Sequence, residues 1–396
     1  MSVRNRSVFS RTSNMTKSSG HEKEGVRKMN KKINNIVLWG YYGKNYGDNI
    51  MFFQIMNCIN QLASDKKIYL ISKEQCLDRV CGEKYPRCEV IREDYSNKLE
   101  RNSWLKKLPQ KALHIWGGGT IFTDEEGDGN FYHFVFLKAH GAKYCYLSSG
   151  IGSVTRLSRI FKFKLLLKYS SLTAFRDEKS YEKAKQLSKS NTIVLTDDMV
   201  LEYALEYKNK ADVYKSAASK YILFSWRNLE NFMTAEEQLE MTDVIVEKIK
   251  ELSRQLGIKK IISIPLDTCE DIKINSIMCN KLNNSTLDVE LSLKTDVEDI
   301  TKLISGASFF ISGRLHSSMV AEIMGVPTFT LSYSPKIKYF YESIQKNNYV
   351  DVLREPIPPV DVILKSPCGI KNEEELKART EKSRQNLNLL LDLIEK

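Results

Sequence analysis

The sequence predicts two successive α/β domains of the Rossmann type, each built on a parallel β-sheet with helices on both faces. Short, continuous apolar runs alternate with helical patterns along residues 33–372, as expected for strands that are buried on both faces. A polar, Lys- and Ala-rich stretch at 207–220 interrupts this alternation and is predicted to be a linker. It separates a first domain, 33–206, from a second domain, 221–372. Because such sheets bind ligands beyond the carboxyl ends of their strands, we expect a cleft between the two domains.

The predicted strands are short apolar runs in both halves. Those of the first domain are Ile36–Trp39, Lys67–Ile71, Ala112–Trp116, Lys143–Ser148 and Leu172–Phe175. Those of the second domain are Tyr221–Ser225, Lys260–Pro265, Leu287–Leu291, Phe309–Ile311 and Thr328–Leu331. The clearest helical pattern, Thr234–Leu256, lies between the first two strands of the second domain.

Two segments of different character flank the predicted domains. Residues 1–32 are rich in Ser, Asn, Lys and Arg without periodicity, and are predicted to be a disordered basic tail. Residues 373–396 show a helical pattern with no strand after it. The first 35 residues hold nine basic and two acidic residues, a net +7 of the total +11, so the folded part is only mildly basic. The charge therefore gives little support to a nucleic-acid-binding function.

Composition places the chain among globular proteins, with 42% hydrophobic and 28% charged residues. No apolar run approaches the roughly 20 residues of a membrane span. The N-terminus lacks the apolar core of a signal peptide, so we expect a cytoplasmic protein. The eight cysteines form no CxxC pair, which predicts free thiols rather than disulfides or a zinc site. We expect no metal and no other cofactor, because no cluster of ligands is visible.

Three loops rich in small residues follow strands of the first domain. The first, Gly40–Asn49, fits both a tight turn with Asp48 or Asn49 as the helix N-cap and a contact with a substrate. The second, Trp116–Asp124, holds three consecutive glycines, which indicate either a ligand close to the backbone or close domain packing. The third is Ser148–Gly152, and all three are expected to meet at the cleft. The candidate binding residues on these loops are Asn45, Gly117, Gly118, Gly119 and Ser149.

A charged segment follows the strand Leu172–Phe175. Asp177 and Glu178 are interpreted as the acidic start of a helix, whose dipole they complement. Arg176 precedes them at the strand end, where it is a candidate for contact with an anion.

The most informative segment is 311–328, which carries Arg314 and His316 between a short apolar strand and a helix. An arginine is a permanent, forked anion donor, and a histidine titrates near neutral pH. A single histidine is usually structural, but the neighbouring arginine and the strand end favour a function here. Arg227 ends the first strand of the second domain, and Lys336 follows the strand after His316. We therefore predict that these four residues form one anion site.

The segment 156–170, RLSRIFKFKLLLKYS, has five basic residues, no acidic residue and many apolar residues between them. One interpretation is a surface helix that buries an apolar stripe in the first domain. The other is a basic amphipathic helix that rests on an anionic membrane, which places the protein at the inner face of the cytoplasmic membrane.

Taken in order, these segments resemble the polysaccharide pyruvyl transferase family. The matching segments are Asn45-Tyr46-Gly47-Asp48, Gly117-Gly118-Gly119, Arg176-Asp177-Glu178 with Ser180 after one inserted residue, Gly313-Arg314-Leu315-His316, Gly325-Val326-Pro327 and Tyr333-Ser334-Pro335-Lys336. The resemblance spans about residues 36–345 and so includes both domains. The family usually has Asp-Pro-Ala before the linker, whereas this chain has Thr196-Asp197-Asp198-Met199, without the proline.

The resemblance implies a GT-B-like arrangement of the two domains, and an enzyme that transfers the pyruvyl group of phosphoenolpyruvate to a sugar. The product is a cyclic ketal on two hydroxyls of a cell-surface polysaccharide precursor, free or lipid-linked. Arginines bind a carboxylate and a phosphate well, so Arg314 and Arg227 are expected to hold this donor, assisted by Lys336. Asp48 is expected to contact or deprotonate the sugar. His316 is either a general acid and base or one more ligand for the phosphate.

Two other functions stay open at this point. A GT-B glycosyltransferase that uses a nucleotide sugar needs an acidic residue for the donor ribose, and Glu322 on the helix after His316 is a candidate. A non-catalytic sugar-binding protein of capsule assembly needs only an acceptor site.

Overall fold

The computed structural model describes residues 33–124, 127–211, 220–283, 286–367, 369–370 and 372–395. The predicted basic tail lies outside these residues, and so do residues 212–219 of the predicted linker. Within the described residues the chain forms two parallel sheets with helices around them, which confirms the predicted fold class.

The first sheet contains eight strands. They are β1 Asn35–Trp39, β2 Lys67–Ser72, β3 Cys88–Arg92, β4 Ala112–Gly117, β5 Thr120–Phe122, β6 Lys143–Ile151, β7 Leu172–Phe175 and β8 Ile193–Leu195. The helices between and after them are α1 Tyr46–Leu62, α2 Cys76–Lys84, α3 Lys98–Lys107, α4 Phe131–Ala139, α5 Leu157–Tyr169, α6 Glu178–Leu187 and α7 Met199–Ala211. Helix α7 therefore continues through residues 207–211, which the sequence assigns to the linker.

The second sheet contains six strands. They are β9 Ile222–Ser225, β10 Lys260–Ser263, β11 Asp288–Leu291, β12 Phe309–Ser312, β13 Thr328–Ser332 and β14 Tyr349–Asp351. Its helices are α8 Ala235–Leu256, α9 Ile272–Asn283, α10 Val297–Ser305, α11 Leu315–Met324, α12 Pro335–Ser343 and α13 Val360–Leu364. A last helix, α14 Glu373–Glu395, follows them.

In both sheets the order of the strands reverses at a central pair. The first has the order β3-β2-β1-β4-β6-β7-β8, with β5 paired to β6, and the second has the order β11-β10-β9-β12-β13-β14. The order reverses between β1 and β4, and again between β9 and β12. In parallel sheets the crevice at such a reversal, outside the carboxyl ends of the strands, is the usual ligand site.

Strands β3, β5, β8 and β14 are absent from the sequence prediction. Three of them lie at the edges of their sheets, where one side is open. The edge strand β3 is largely half-exposed and contains charged residues, so it lacks the continuous apolar run of a central strand. Strand β5 has only three residues.

Helix α14 leaves the second domain and packs against α7, α1 and β6 of the first. Its Asn386 is fully buried, and its Oδ1 accepts hydrogen bonds from the Ser148 backbone N–H and the Thr196 hydroxyl, both at 3.0 Å. Its Nδ2 donates to the Asp197 carbonyl at 2.8 Å. One side chain therefore satisfies buried polar groups in β6 and after β8.

We expect Asn386→Ala to lower the free energy of unfolding by about 2–4 kcal/mol, because it leaves buried donors without acceptors. Urea denaturation followed by circular dichroism measures this change. Asn388→Ala is the matched control, since Asn388 is exposed on the same helix and should change stability by less than about 0.5 kcal/mol. Equal effects of the two substitutions would contradict the role of Asn386.

Candidate active site

A cleft of about 710 Å³ lies between the two sheets. The first domain contributes the loops after β1, β2, β3, β4 and β7, and the second contributes the loops after β9, β10, β12 and β13. All of these loops lie at the carboxyl ends of their strands, and both strand-order reversals border the cleft. The predicted inter-domain cleft is therefore present.

Backbone hydrogen bonds join the two walls of the cleft. The Tyr46 N–H donates to the Leu266 carbonyl at 3.0 Å, and the Thr268 N–H donates to the Lys44 carbonyl at 3.1 Å. The Tyr46 hydroxyl lies 2.7 Å from the Thr301 hydroxyl on α10. The loop after β1 is therefore fixed to the second domain.

Asn45 begins helix α1, since its side chain accepts a hydrogen bond from the Gly47 N–H at 3.0 Å. The prediction of Asp48 or Asn49 as the N-cap is wrong. Asn49 instead accepts from the Gly43 N–H at 2.6 Å and closes the loop. This arrangement leaves Asp48 in the first turn, half-buried and facing the cleft.

His316 crosses from the second domain to the loop after β1. A Cβ on Gly47 would lie only 1.7 Å from His316 Nδ1, so the imidazole occupies the space that any side chain at residue 47 would need. Gly47 therefore admits a histidine from the other domain.

Arg176, Asp198 and His316 form a cluster across the domain boundary. Arg176 Nη1 donates to Asp198 Oδ2 at 2.9 Å, and His316 Nε2 lies 3.3 Å from the same oxygen. Nε2 also lies 3.2 Å from Arg176 Nη1, so it can accept from the arginine when neutral or donate to Asp198 when protonated. Arg176 is further held by the Thr120 hydroxyl at 3.0 Å.

Asp198 stays ionised in this cluster. Burial opposes its charge, but His316 and Arg176 outweigh burial and hold the pKa of Asp198 well below its usual range. The carboxylate thus orients both the arginine and the histidine that face the cleft.

Arg314 lies at the strand-order reversal of the second sheet, directly before α11. Its Nε and Nη2 donate to the two carboxylate oxygens of Asp271, at 3.0 and 2.7 Å. Asp267 and Glu270 lie farther from Nη2, at 3.8 and 4.0 Å. Burial opposes the charge of Arg314, but Asp271 raises its pKa further above the usual range. Within the described parts of the chain, Nη1 makes no hydrogen bond, so this nitrogen is available to a ligand.

Arg227, Tyr333 and Lys336 form the neighbouring part of the second-domain wall. Arg227 Nη1 donates to the Tyr333 hydroxyl, and its guanidinium lies 4.4 Å from the centre of the same ring. Lys336 Nζ lies 5.6 Å from that ring. Burial raises the pKa of Tyr333, but Lys336, Arg227 and Arg314 outweigh it and lower the pKa to about 8. The four predicted residues of the anion site therefore line one cleft.

Asp48 faces these cations from the first domain. Burial raises the pKa of Asp48, and the charges of His316, Lys336, Arg176 and Arg314 oppose this rise. A carboxyl group whose ionised form is disfavoured by burial is suited to exchange a proton with a bound ligand.

The small-residue loops contribute less to the cleft surface than the sequence suggests. Gly119 lines the cleft, whereas Gly117 lies under Tyr42 and Gly118 lies against Met51. A Cβ on Gly117 would meet the Tyr42 hydroxyl at 2.1 Å, so this glycine permits close packing. Ser149 is fully buried below the surface, and its hydroxyl donates to the Leu147 carbonyl at 3.3 Å.

Sequence reasoning assigned no role to Asp198, Asp271 or Tyr333. Asp198 belongs to the segment that lacks the family's proline, and the structure pairs it with Arg176 while Arg379 pairs with the adjacent Asp197. Tyr333 stands in the motif that supplied Lys336. No sequence pattern around Asp271 indicates its role, because it binds Arg314 from a distant part of the chain.

The model of the family described as polysaccharide pyruvyl transferase matches residues 45–335. The chain belongs to the polysaccharide pyruvyl transferase family. The matched span of this transferase runs from the N-cap of α1 to the first residue of α12, so it includes both walls of the cleft. The family implies a polysaccharide acceptor. No curated protein matches the sequence.

Solved structures share the fold of this pyruvyl transferase at low identity. The UDP-GlcNAc 2-epimerase from Neisseria meningitidis has a TM-score of 0.60 and 13% identity, over 90% of this chain and 99% of that chain. The enzyme from Methanocaldococcus jannaschii has a TM-score of 0.59 and 14% identity, over the same shares. The UDP-N-acetylglucosamine 2-epimerase from Rickettsia bellii has a TM-score of 0.57 and 12% identity, over 92% of this chain and 97% of that chain. The two domains therefore have the GT-B fold.

The described residues were also compared with what a metal site and a membrane span would need. In the described part of the chain, no group of three His, Cys, Asp or Glu side chains is placed to hold a metal ion. The expectation of a reaction without a metal or other cofactor stays a prediction. Among the described helices, none is long and apolar enough to cross a membrane.

The low pKa of Tyr333 predicts a tyrosine that ionises near pH 8, seen as a rise in phenolate absorption. Tyr333→Phe should remove this step. Tyr349→Phe should leave it in place, because burial raises the pKa of Tyr349. A step near pH 8 that survives in Tyr333→Phe would show that Lys336, Arg227 and Arg314 do not stabilise this phenolate.

Proposed function

We propose that this protein transfers the pyruvyl group of phosphoenolpyruvate to two hydroxyls of a saccharide, forming a cyclic ketal and releasing phosphate. The observation that carries this proposal is the convergence of Arg227 and Arg314 from the strand-order reversal on a cleft that also holds His316 and Asp48. The substrate has two anionic groups next to a carbon that must accept a proton. The cleft offers several cations beside two groups suited to proton transfer.

The second-domain wall is suited to the donor. Asp271 fixes the plane of Arg314 while Nη1 remains for a ligand, and the Tyr333 ring fixes Arg227. Lys336 has no ion pair in the described part of the chain and adds a further cation. The first turn of α11 opens on the cleft, so its N–H groups and dipole add a site for a phosphate or carboxylate.

The reaction is written so that its atoms balance. A proton is added to the methylene carbon of phosphoenolpyruvate, and a sugar hydroxyl attacks the adjacent cationic carbon and loses its proton. The carbon–oxygen bond to phosphate then breaks, and a second hydroxyl forms the ketal and loses its proton. The two hydroxyls release two protons in total. One balances the proton that was added to the methylene carbon, and the phosphate takes up the other. His316 is the proposed acid at carbon, and Asp48 is the proposed base at the sugar.

A nucleotide-sugar glycosyltransferase is the alternative for the same fold, since the Neisseria meningitidis structure contains UDP-GlcNAc. The acidic residue predicted for this alternative, Glu322, does not line the cleft. Glu322 is fully buried and pairs with Lys346 away from the cleft, with Asn348 Nδ2 at 3.4 Å. A non-catalytic sugar-binding protein would not need the ordered cluster of Arg176, Asp198 and His316.

Phosphate release from phosphoenolpyruvate, measured with a panel of free and lipid-linked saccharides, tests the function. We expect His316→Ala to reduce the rate by about 100-fold or more, because it removes a proton donor. Arg314→Lys should also reduce it, since lysine keeps the charge but loses the two-point bond to Asp271.

His140→Ala and Arg79→Ala are the matched controls, because both side chains are exposed and lie outside the cleft. Folding of each variant is checked by circular dichroism. A folded His316→Ala protein with a near-wild-type rate refutes the assigned role. Release of a nucleoside diphosphate from a nucleotide sugar, without phosphate release from phosphoenolpyruvate, supports the alternative.

Helix α5 supports a further part of the proposal, which is contact with an anionic membrane. The helix buries Phe163, Leu166 and Leu167 in the first domain, as the first interpretation of this segment expects. Its opposite face leaves Leu157 and Phe161 exposed at 83% and 62%. Exposed apolar residues that lie together, rather than singly, are a feature of interaction sites.

Basic residues surround this apolar face of α5. Lys164 and Lys168 are exposed, whereas Lys162 pairs with Asp128 at 2.9 Å and is not available to lipids. The loop of Asp128 continues to Asn130, which lines the cleft. Through Lys162, helix α5 therefore contacts the loop that reaches the first-domain side of the cleft. This is the side at which a lipid-linked saccharide would arrive from a membrane under α5.

We expect the protein to float with vesicles that contain an anionic lipid, and Lys164→Glu with Lys168→Glu to abolish this flotation. Phe161→Ser should weaken it. Lys106→Glu with Lys107→Glu is the control of equal charge change, since both lysines are exposed on α3. Equal flotation of the α5 and α3 variants would remove α5 from the proposal.

A further inference from the structure

The first-domain wall of the cleft carries an exposed aromatic ring. Tyr41 lines the cleft, yet 51% of its surface is open. The edge of its ring packs against Trp116, with the ring centres 5.3 Å apart and the planes at 79°. Trp116 is buried and held by a hydrogen bond from its Nε1 to the Gly118 carbonyl at 2.9 Å. The tyrosine therefore rests on a fixed support with part of its surface facing the cleft.

Tyr41 and Asp48 both lie close to Gly119. A Cβ on Gly119 would lie 3.7 Å from Tyr41 Cδ2, 3.7 Å from Ile121 Cγ2 and 3.9 Å from Asp48 Oδ1. Gly119 itself places no side chain between the ring and the carboxylate, so a ligand on the ring can extend over its backbone toward Asp48. This is a second reason for a glycine here, besides its backbone φ of +84°.

The first-domain wall also carries groups that suit the hydroxyls of a polyol. Glu74, Glu93 and Asn130 line it and offer acceptors for hydroxyl groups. Glu74 is held by Lys44 at 2.8 Å, and Glu93 lies 3.9 Å from Lys73. Lys336, which makes no ion pair with the described residues, belongs to the opposite wall with Arg227 and Arg314, whereas Arg176 on the first-domain wall is paired with Asp198. The second-domain wall thus offers cations for an anion, and the first-domain wall offers the aromatic ring and the acceptors.

We propose that Tyr41, supported by Trp116, is the platform on which a pyranose ring of the acceptor stacks, with the hydroxyls of that ring directed past Gly119 to Asp48. A pyranose has an apolar C–H face that fits an aromatic ring and an edge of hydroxyls that fits carboxylates and amides. This inference rests on the proposed function, because it assigns the acceptor to the wall opposite the donor cations.

Saccharide binding and turnover test this platform separately. The wild type, Tyr41→Ala and Tyr41→Phe are first compared on an array of immobilised glycans, without phosphoenolpyruvate. We expect binding by the wild type and Tyr41→Phe, and a loss of about tenfold or more in affinity in Tyr41→Ala. Tyr132→Ala is the control, since Tyr132 is also exposed but lies outside the cleft.

The best-bound saccharide then serves as acceptor in the phosphate-release assay. Tyr41→Ala should raise the KM for this acceptor by about tenfold while the KM for phosphoenolpyruvate stays within about twofold. An array on which the wild type binds nothing, or on which Tyr41→Ala binds equally, overturns the platform. Tyr41-dependent binding without any phosphate release refutes the proposed reaction and leaves the saccharide platform in place.

Discussion

The two domains meet at a shared site because residue 47 has no side chain. Nδ1 of His316 stands 1.7 Å from where a Cβ on Gly47 would be, and backbone hydrogen bonds of Lys44 and Tyr46 fix the loop after β1 to the loop after β10. A histidine of one domain thereby reaches Arg176 and Asp198 of the other. Any side chain at residue 47 would displace the His316 imidazole from these contacts.

Cations in and near this cleft are held by buried carboxylates. Asp271 holds Arg314, Asp198 holds Arg176, and Asp197 holds Arg379 just behind the cleft. Such pairs add little stability, because removal of two charges from water offsets most of their attraction. What they provide is orientation: the guanidinium plane is set before a ligand arrives, so less freedom is lost on binding. Arg227 and Lys336 differ, since Arg227 packs on the Tyr333 ring and the half-buried Lys336 makes no ion pair with the described residues.

The sequence predicted the fold class, the central strands and the candidate anion residues because these depend on local patterns. Central parallel strands are continuous apolar runs, and residues at their carboxyl ends must meet at one edge. The edge strands β3 and β14 were not predicted, because their apolar pattern is incomplete. The roles of Asp271 and Tyr333 were not predicted, because they depend on Arg314 and Arg227, which lie far away in the sequence. Glycine runs were ambiguous, since Gly117 and Gly118 serve packing while Gly119 borders the cleft.

Helix α14 has a consequence for how the chain is divided. It begins after the second domain and ends on the first, where Asn386 joins β6 to the segment that follows β8. In chain order, the second domain is therefore an insertion between α7 and α14, and the first domain is discontinuous. A single cut in the chain therefore cannot separate the two domains. An exchange of the second domain between relatives would therefore need two junctions, one after α7 and one before α14.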